Sequence, residues 1–365
     1  MNRKWIIGCG LSIALIAGSA PIKYFLQAAY GHLALLANAR PIDAYLADPS
    51  VNGELKAKLV KVKQIRDFAI RELNLPDNDS YKMYVAIDRP YVVWNVIATP
   101  ALSMRPVEWC FPVAGCTSYR GYYNKRDALA FARSMQEAGY DVHVAEVPAY
   151  STLGWFSDPV ISTFINYSEL QLARLIFHEM AHQVLYVKGD SQFNESFAVA
   201  IEEEGVERWI AKHGDEEMRQ AYLANNRRKM EFLALLGKYQ RRLSANYASD
   251  ATTEEKYIEK EKILDALQDE FKSVRVGWQG YAGYDGWFAR QLNNAHLASI
   301  ATYHSLVPGF RALMKNEENL QAFYVVAKSL AALPPGLRQE QLAGLGNDDA
   351  IPVSTEQVKV SQEQS

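Results

Sequence analysis

The stretch Phe177-His178-Glu179-Met180-Ala181-His182 has the pattern H-E-x-x-H. Residues four positions apart lie on the same face of an α-helix, so His178 and His182 would present two imidazoles side by side. Such a pair can bind one zinc ion, and Glu179 is placed to take a proton from an attacking water. A chain with this content of His and acidic residues matches the pattern by chance about once in a hundred. The stretch therefore predicts a metal-binding helix.

A zinc ion that acts in catalysis needs a third protein ligand and an open position. The acidic candidates downstream are Asp190, Glu195, Glu202, Glu203 and Glu204. Asn194 is a favourable N-cap residue, and Glu195 would then begin a new helix that faces the histidines across a short loop. We predict one zinc ion per chain, bound by His178, His182 and Glu195.

Glu202 follows Glu195 by seven residues, which places it two turns further along the same helix face. We predict that it bonds to a ligand imidazole or to another group near the metal, as acceptors behind metal ligands commonly do. We predict the same supporting role, behind the metal ligands, for Asn194. The alternative gives Glu202 the place of the third ligand.

The composition is that of a folded globular protein, with 49% hydrophobic and 22% charged residues. Lys and Arg number 39 against 42 Asp and Glu, so the net charge is only -3. Proteins that bind nucleic acid concentrate basic charge, and we therefore expect no nucleic-acid partner. The composition leaves the oligomeric state open.

The pattern of apolar residues predicts an α+β fold. Helices are expected at 24–46, 55–73 and 128–138, and strands at 81–87, 91–98, 119–123 and 141–147. From Glu169 onwards almost everything is expected to be helical, at 196–213, 215–245, 253–274, 284–305 and 313–333. We predict a small mixed sheet in the N-terminal half (21–168), a mainly helical C-terminal half (169–345) with zincin-like active-site helices, and a polar tail at 346–365.

Residues 1–20 have the pattern of a signal peptide or a short membrane anchor. Arg3 and Lys4 precede an uncharged apolar run at 5–20. We expect export of the chain, with membrane attachment through 5–22 as an open alternative to cleavage. Cys9 is a poor lipidation site, because the apolar run follows it instead of preceding it.

Cys110 and Cys116 lie close together in Trp109-Cys-Phe-Pro-Val-Ala-Gly-Cys116. In an oxidising compartment they can form a disulfide that closes a small loop, and this is our prediction. Two buried free thiols are the alternative.

The segment Asn194-Glu-Ser-Phe-Ala198, together with Glu202, resembles the N-E-G-F-A…E element that follows H-E-x-x-H in gluzincin aminopeptidases. That resemblance implies that Glu195 is the third zinc ligand. The chain departs from the pattern in having only 12 residues between His182 and Glu195, fewer than is usual in that group.

Over nearly all its length the chain also resembles the bacterial "putative aminopeptidase" family. The matching signatures, besides the zinc segment, are Tyr91-Val-Val-Trp-Asn95, the cysteine segment, Tyr119-Arg-Gly-Tyr122 and Ala149-Tyr-Ser-Thr-Leu-Gly-Trp-Phe156. The resemblance implies a zinc peptidase, an aminopeptidase by the family's name, acting on peptides in the bacterial periplasm.

Further groups are candidates for binding the reacting peptide. Tyr150 and His296, or alternatively Tyr303 or His304, could stabilise the oxyanion beside the zinc, and we assign Tyr150 and His296 to the catalytic groups. Tyr119 and Arg120 could meet a substrate carboxylate. An aminopeptidase also needs an acidic group for the free amino terminus, for which Glu202, Glu203 and Asp190 are available.

Three classes of function are compared. A zinc peptidase, with Glu179 as general base, accounts for the motif best. The alternative is a non-catalytic cell-envelope binding protein with a structural zinc site, but such a site needs no general base. A cytoplasmic α/β enzyme with another nucleophile ranks last, because the sequence has no G-x-S-x-G and no P-loop. Cleavage inside the peptide or at its end is left open.

Overall fold

The computed structural model describes residues 20–111, 115–149, 152, 157–304 and 306–346, and side chains over the same ranges except 20–22 and 301–304. The leader at 1–19 with Cys9, the candidate Tyr150, and the tail beyond 346 lie outside the described residues. So do the side chains of Tyr303 and His304. Within the described ranges, no helix is both long and apolar enough to cross a bilayer.

The N-terminal half alternates helices with short strands. Its helices are α1 (Ala20–Ala37), α2 (Ile42–Ala47), α3 (Gly53–Leu73) and α4 (Lys125–Glu137). Its strands are β1 (Arg40–Pro41), β2 (Met83–Val85), β3 (Val93–Pro100), β4 (Trp109–Phe111), β5 (Gly115–Thr117), β6 (Arg120–Tyr122), β7 (Tyr140–Val147) and β8 (Val160–Ile161).

The strands form three small sheets. Strand β2 pairs antiparallel with β1 and parallel with β8. Strand β3 is the centre of an antiparallel sheet between β6 and β7, and its alternate residues Trp94, Val96 and Ala98 pack in a core beneath α4. Strands β4 and β5 form a hairpin in which Cys110 lies opposite Cys116.

The C-terminal half is helical throughout its described residues. The helices are α5 (Glu169–Ala181), α6 (Ser191–His213), α7 (Glu216–Ala248), α8 (Thr253–Val276), α9 (Asp285–Phe288), α10 (Asn294–His304), α11 (Val307–Asn316), α12 (Leu320–Ala331) and α13 (Pro335–Gly346). Helices α7 and α8 enclose a separate apolar core around Phe232, Leu267 and Trp278.

The main core joins α3 to α5 and α6. Phe68 of α3 stacks on Phe177 of α5 and meets Trp209 of α6 edge-on. The Trp209 indole N–H donates to Glu169 over 2.9 Å, which ties α6 to the first turn of α5. Because buried aromatic side chains dominate the energetics of a core, these contacts fix the position of α6 relative to α5.

Gly205 lies where α6 approaches its neighbours most closely in this core. A Cβ atom added there would lie 2.6 Å from side-chain atoms of both Leu73 and Phe177. Both of those residues are fully buried, so neither can easily move aside. Only a residue without a side chain permits this approach.

The predicted α+β class is confirmed, with its strands in the N-terminal half and helices in the C-terminal half. The small mixed sheet predicted for the N-terminal half is present as the β1–β2–β8 sheet, and two further small sheets accompany it. The predicted helix at 24–46 is interrupted, because Pro41 lacks an N–H and pairs in β1 instead. The helix predicted at 313–333 is also divided, where Asn319 caps the start of α12. The extent of one catalytic domain over 21–345 stays a prediction.

Candidate metal centre

The two motif histidines lie at the end of α5. This helix begins with a capping box, in which the Ser168 hydroxyl accepts from the Gln171 N–H and the Gln171 side chain bonds back to Ser168. His178 and His182 follow at the last turn, with ring centroids 4.9 Å apart and ring planes nearly perpendicular. The predicted side-by-side imidazoles are therefore present.

Helix α6 begins earlier than the sequence analysis expected. Its N-cap is Asp190, whose carboxylate accepts from the Phe193 N–H over 3.0 Å, so Asn194 lies inside the helix and is not the cap. The Asn194 amide instead bonds to both the N–H and the C=O of Val187, at 2.7 and 2.8 Å. Asn194 therefore fixes the loop between α5 and α6, and no hydrogen bond joins it to the imidazoles.

Glu195 faces the histidines across that loop. Its Oε2 lies 3.2 Å from His178 Nε2 and 3.7 Å from His182 Nε2. One ligand atom from each of these three residues lies within 4.8 Å of the others. Tetrahedral zinc with bonds of about 2.0–2.1 Å holds its ligand atoms about 3.3 Å apart, so the observed spacing fits a zinc ion.

Glu202 supports the cluster from behind. One carboxylate oxygen lies 3.1 Å from His178 Nδ1, and the other accepts from Arg174 Nε over 2.7 Å. With His178 Nδ1–H donating to Glu202, the Nε2 atom is left as the ligand atom that faces Glu195. Glu202 therefore occupies the predicted supporting position, and its carboxylate bonds to an imidazole and a guanidinium.

His182 differs from His178 in its second ring nitrogen. Its Nδ1 atom is buried and has no hydrogen-bond partner among the described residues. Packing therefore orients this ring, which is only 6% exposed, and its Nε2 faces Glu195.

The electrostatics of the cluster favour a bound cation. Burial opposes charge on His178, Glu195 and Glu202, but hydrogen bonds to the two carboxylates outweigh it at His178 and raise the pKa of that imidazole. The pKa of Glu202, which burial would raise, is lowered to about 2 by the Arg174 charge and the bond to His178. Two carboxylates thus face one imidazole, and a metal ion that binds such ligands takes the place of a proton on them.

Glu179 and four tyrosines share one cavity with the cluster. This cavity, of about 380 Å³, is lined by the three candidate ligands and, among others, by Tyr24, Asn95, Tyr119, Tyr123, Glu179 and Tyr186. Burial raises the pKa of Glu179 above its usual value. A carboxylate that lines the same cavity as the candidate ligands is placed to exchange protons with water.

Tyr119 lines the cavity beside the candidate ligands, a position that the sequence pattern did not predict. Burial, and then the negative charge of Glu195, raise its pKa, so its hydroxyl stays protonated and can donate. The sequence signal was its position three residues after Cys116, at the turn that leads into β6. Tyr186 lines the same cavity from the loop after α5.

The Cys110–Cys116 hairpin lies against the loop between α5 and α6. The two sulfur atoms are bonded, and the Cα atoms of these direct cross-strand partners are 3.8 Å apart, closer than the 4.4–6.8 Å usual for disulfides. At Gly115, with φ of +79°, a Cβ atom would lie 2.8 Å from the Gly189 nitrogen. The hairpin can approach this loop only because position 115 is glycine.

Other candidates lie elsewhere. His296 packs against His143, with ring centroids 4.1 Å apart, in a different cavity from the triad. The predicted catalytic residue His296 therefore does not lie among the groups around His178, because it projects from α10 towards β7. Arg120, considered for a substrate carboxylate, has its guanidinium over the rings of Tyr24 and Phe131, at 4.0 and 4.5 Å.

The acidic candidates for binding a peptide amino terminus are engaged in ion pairs. Asp190 lies 3.2 Å from Arg338. Glu203 lies 3.1 Å from both Lys229 and Arg311, and Glu202 lies 2.7 Å from Arg174. None of these three lines the cavity beside the triad.

Fold and site together define a mixed α+β protein with a His-His-Glu cluster on two adjacent helices. A family model described as "Putative aminopeptidase" matches residues 23–342, and the chain belongs to this family. The membership indicates a peptidase and confirms the resemblance to the putative aminopeptidase family. No curated protein matches the chain, and no solved structure does.

Proposed function

We propose that the protein is a zinc-dependent peptidase. The observation that carries the proposal is the convergence of His178, His182 and Glu195 within 4.8 Å at a cavity that also holds Glu179. These are two imidazoles, one carboxylate and a separate general base. Membership in a family described as aminopeptidases supports the same reaction.

The proposed roles follow from the position of each group. A zinc ion held by the three side chains would polarise the scissile carbonyl and lower the pKa of a water molecule. Glu179 accepts the proton that the attacking water loses and passes it to the departing amine. Its burial makes it a better base than an exposed carboxylate. Tyr119 donates a hydrogen bond to the oxyanion that forms on the carbonyl oxygen.

The second candidate function is a non-catalytic binding protein with a structural zinc site. Structural zinc sites are closed by four protein ligands, whereas the cluster offers three, beside a cavity, among the side chains that the structure describes. That difference favours the peptidase.

Removal of the proposed base tests the peptidase directly. Zinc content and hydrolysis of a peptide library are measured for wild type, Glu179→Gln and, as a control, Glu204→Gln. The Glu179 variant should keep its zinc and lose hydrolysis by about 10²–10⁴-fold, because an amide cannot accept the proton. Equal hydrolysis by wild type and Glu179→Gln contradicts the mechanism. Zinc binding without hydrolysis by wild type favours the binding protein.

Aminopeptidase activity is proposed from the family description alone. Asp190, Glu203 and Glu204 are paired with basic side chains, and Glu202 with Arg174, so none offers an uncommitted carboxylate to a peptide amine. Paired substrates with free and acetylated amino termini distinguish the two modes. An aminopeptidase cleaves only the free form, and an endopeptidase cleaves both.

We also propose export to the periplasm, with residues 5–22 as signal or anchor. The support is the basic start and apolar run of the leader, and the Cys110–Cys116 disulfide, which requires an oxidising compartment. Helix α1 continues this region with exposed Phe25, Leu26, Tyr30 and Leu33. Cell fractionation with detection of the chain in the cytoplasm alone would contradict the proposal.

A further inference from the structure

A second, smaller cavity adjoins the triad cavity. It measures about 260 Å³, and the two cavities share the wall residues Asn95, Tyr119, Val147 and Glu195. One of these is a proposed zinc ligand and another is the proposed oxyanion donor. The smaller cavity therefore lies directly beside the triad cavity, with Tyr119 and Glu195 in the wall of both.

The surface of the smaller cavity is mostly apolar. Its apolar walls are formed by Ile97, Ala145, Pro148, Trp287, Ala298 and Ile300, from β3, β7 and the region of α9 and α10. Ile97 and Ala298 are almost fully buried. His143, which also reaches the cavity, is kept uncharged by burial, which lowers its pKa to about 3.

We propose that this cavity is the subsite for a large apolar side chain of the substrate, next to the peptide bond that is cleaved. The inference rests on the proposed function and names its substrate class, peptides with a Leu- or Phe-like residue beside the scissile bond. Transfer of such a side chain from water into an apolar cavity favours its binding over alanine by about 10- to 100-fold.

Ala145 offers a way to fill the cavity without disturbing the triad. It is a half-buried residue of β7 that lines the smaller cavity and is absent from the walls of the triad cavity. Its neighbour Val144 points to the opposite face of the strand and lines the cavity beside α4. Ala145→Leu therefore occupies the proposed subsite, and Val144→Leu is the matched control.

The first experiment is the cleavage of a random peptide library by wild type and both variants, read by mass spectrometry. Wild type and Val144→Leu should cleave peptides with a large apolar residue at one fixed position beside the bond, about 10- to 100-fold better than those with alanine. Ala145→Leu should lose that preference and accept small residues. Cleavage without the preference, or an unchanged preference in Ala145→Leu, overturns the subsite and leaves the peptidase standing.

The second experiment does not need catalysis. Peptides that carry one p-benzoylphenylalanine are photo-cross-linked to Glu179→Gln protein, with and without Ala145→Leu. Adducts on Ile97, Trp287 or Ile300 that disappear in the Ala145→Leu background support the subsite, even if no peptide is ever hydrolysed. Adducts confined to other surfaces overturn it.

Discussion

Glu202 joins the metal cluster to a fixed positive charge. Its two oxygens bond to His178 Nδ1 and to Arg174 Nε, and it is 7% exposed. The carboxylate thereby increases the basicity of the imidazole and fixes its orientation, which is the usual effect of an acceptor behind a metal-bound histidine. The Arg174 charge keeps Glu202 ionised while it does so.

Glu202→Gln should weaken zinc binding by about 10- to 100-fold, because the amide keeps the shape and loses the charge. Competition with a chelator measures the affinity, and Glu204→Gln, on the same helix but paired with Arg208, is the control. Unchanged affinity in Glu202→Gln contradicts the supporting role. If Glu202→Ala abolishes zinc binding while Glu195→Ala retains it, the third ligand is Glu202.

Tyr119→Phe should lower kcat by about 10²- to 10³-fold, because one hydrogen bond to the oxyanion is lost. KM and zinc content should stay near the wild-type values, since the phenyl ring still fills the wall of the cavity. Tyr186→Phe is the comparison, because Tyr186 lines the same cavity from the loop after α5. A loss of kcat in Tyr186→Phe alone would transfer the role to Tyr186.

At the scale of secondary-structure elements, α10 packs against β7 through two histidine rings, His143 and His296, that lie 4.1 Å apart and are tilted by 38°. The pKa of His143 is lowered to about 3, by burial and then by His296, and that of His296 to about 4, by burial and then by Arg290. Both values lie below the ordinary 6.5 of an unfolded chain. At pH values between the folded-state and unfolded-state pKa, the unfolded chain therefore binds more protons than the folded protein. The folded state loses stability as the pH falls below about 6.5.

His143→Phe should reduce this acid sensitivity, because the ring still packs against His296 but cannot take up a proton. Urea unfolding at pH 7.5 and pH 5 gives the free energy of unfolding for wild type and variant. Wild type should lose up to about 1.4 kcal/mol per pH unit for each histidine over this interval, and the variant less. Equal losses in both proteins would show that the histidine pair does not control the acid response.

The β4–β5 hairpin, which contains the Cys110–Cys116 disulfide, lies next to the proposed active site. Replacement of both Cys110 and Cys116 by serine should lower the free energy of unfolding by about 2 kcal/mol, the chain-entropy value for so short a loop. Because Tyr119 follows the hairpin directly, kcat should fall as well, while zinc content stays near wild type. Chemical denaturation and steady-state kinetics measure the two effects. Loss of stability without loss of kcat would mean that Tyr119 is positioned without the disulfide.

The elements that carry the ligands were predictable from local pattern, and those that depend on distant partners were not. The spacing of His178 and His182 dictates their common helix face, and Glu195 and Glu202 follow the same rule on α6. The two-residue strands β1 and β8 have no pattern of their own, because each exists only through pairing with β2. Helix α13, at the end of the described chain, was assigned to no predicted element.

The errors at the site have a similar cause. Asn194 and Asp190 are equally good N-cap residues, and only the bonds of Asn194 to Val187 decide between them. His296 and Tyr119 are more than 50 positions from the motif, and sequence spacing cannot place them. The fold brings Tyr119 to the triad cavity, whereas His296 lies against His143.

At the scale of the whole molecule, the proposed active site lies where three parts of the fold meet. Helices α5 and α6 supply the ligands and the base, the β6–β3–β7 sheet and the hairpin supply the opposite wall, and α1 contributes Tyr24 and Ala28. Phe25, Leu26 and Tyr30, between and beyond those two residues, are exposed. One helix thus has an inner side in the cavity and an outer apolar side.

The close approach at Gly205 makes the metal site sensitive to a methyl group that would touch none of its ligands. Position 205 is ten residues, about 15 Å along the helix axis, from Glu195, but both residues belong to helix α6 and move together with it. Gly205→Ala should cost about 1–3 kcal/mol of stability and weaken zinc binding, measured by denaturation and chelator competition. Gly237→Ala on α7, where the nearest atom is 3.5 Å away, should do neither, and identical behaviour of the two variants contradicts the idea. A side chain at position 205 would change the angle of α6 against α5 and so displace Glu195 from the histidines. A mutational screen for lost zinc binding should therefore recover this glycine together with the candidate ligands.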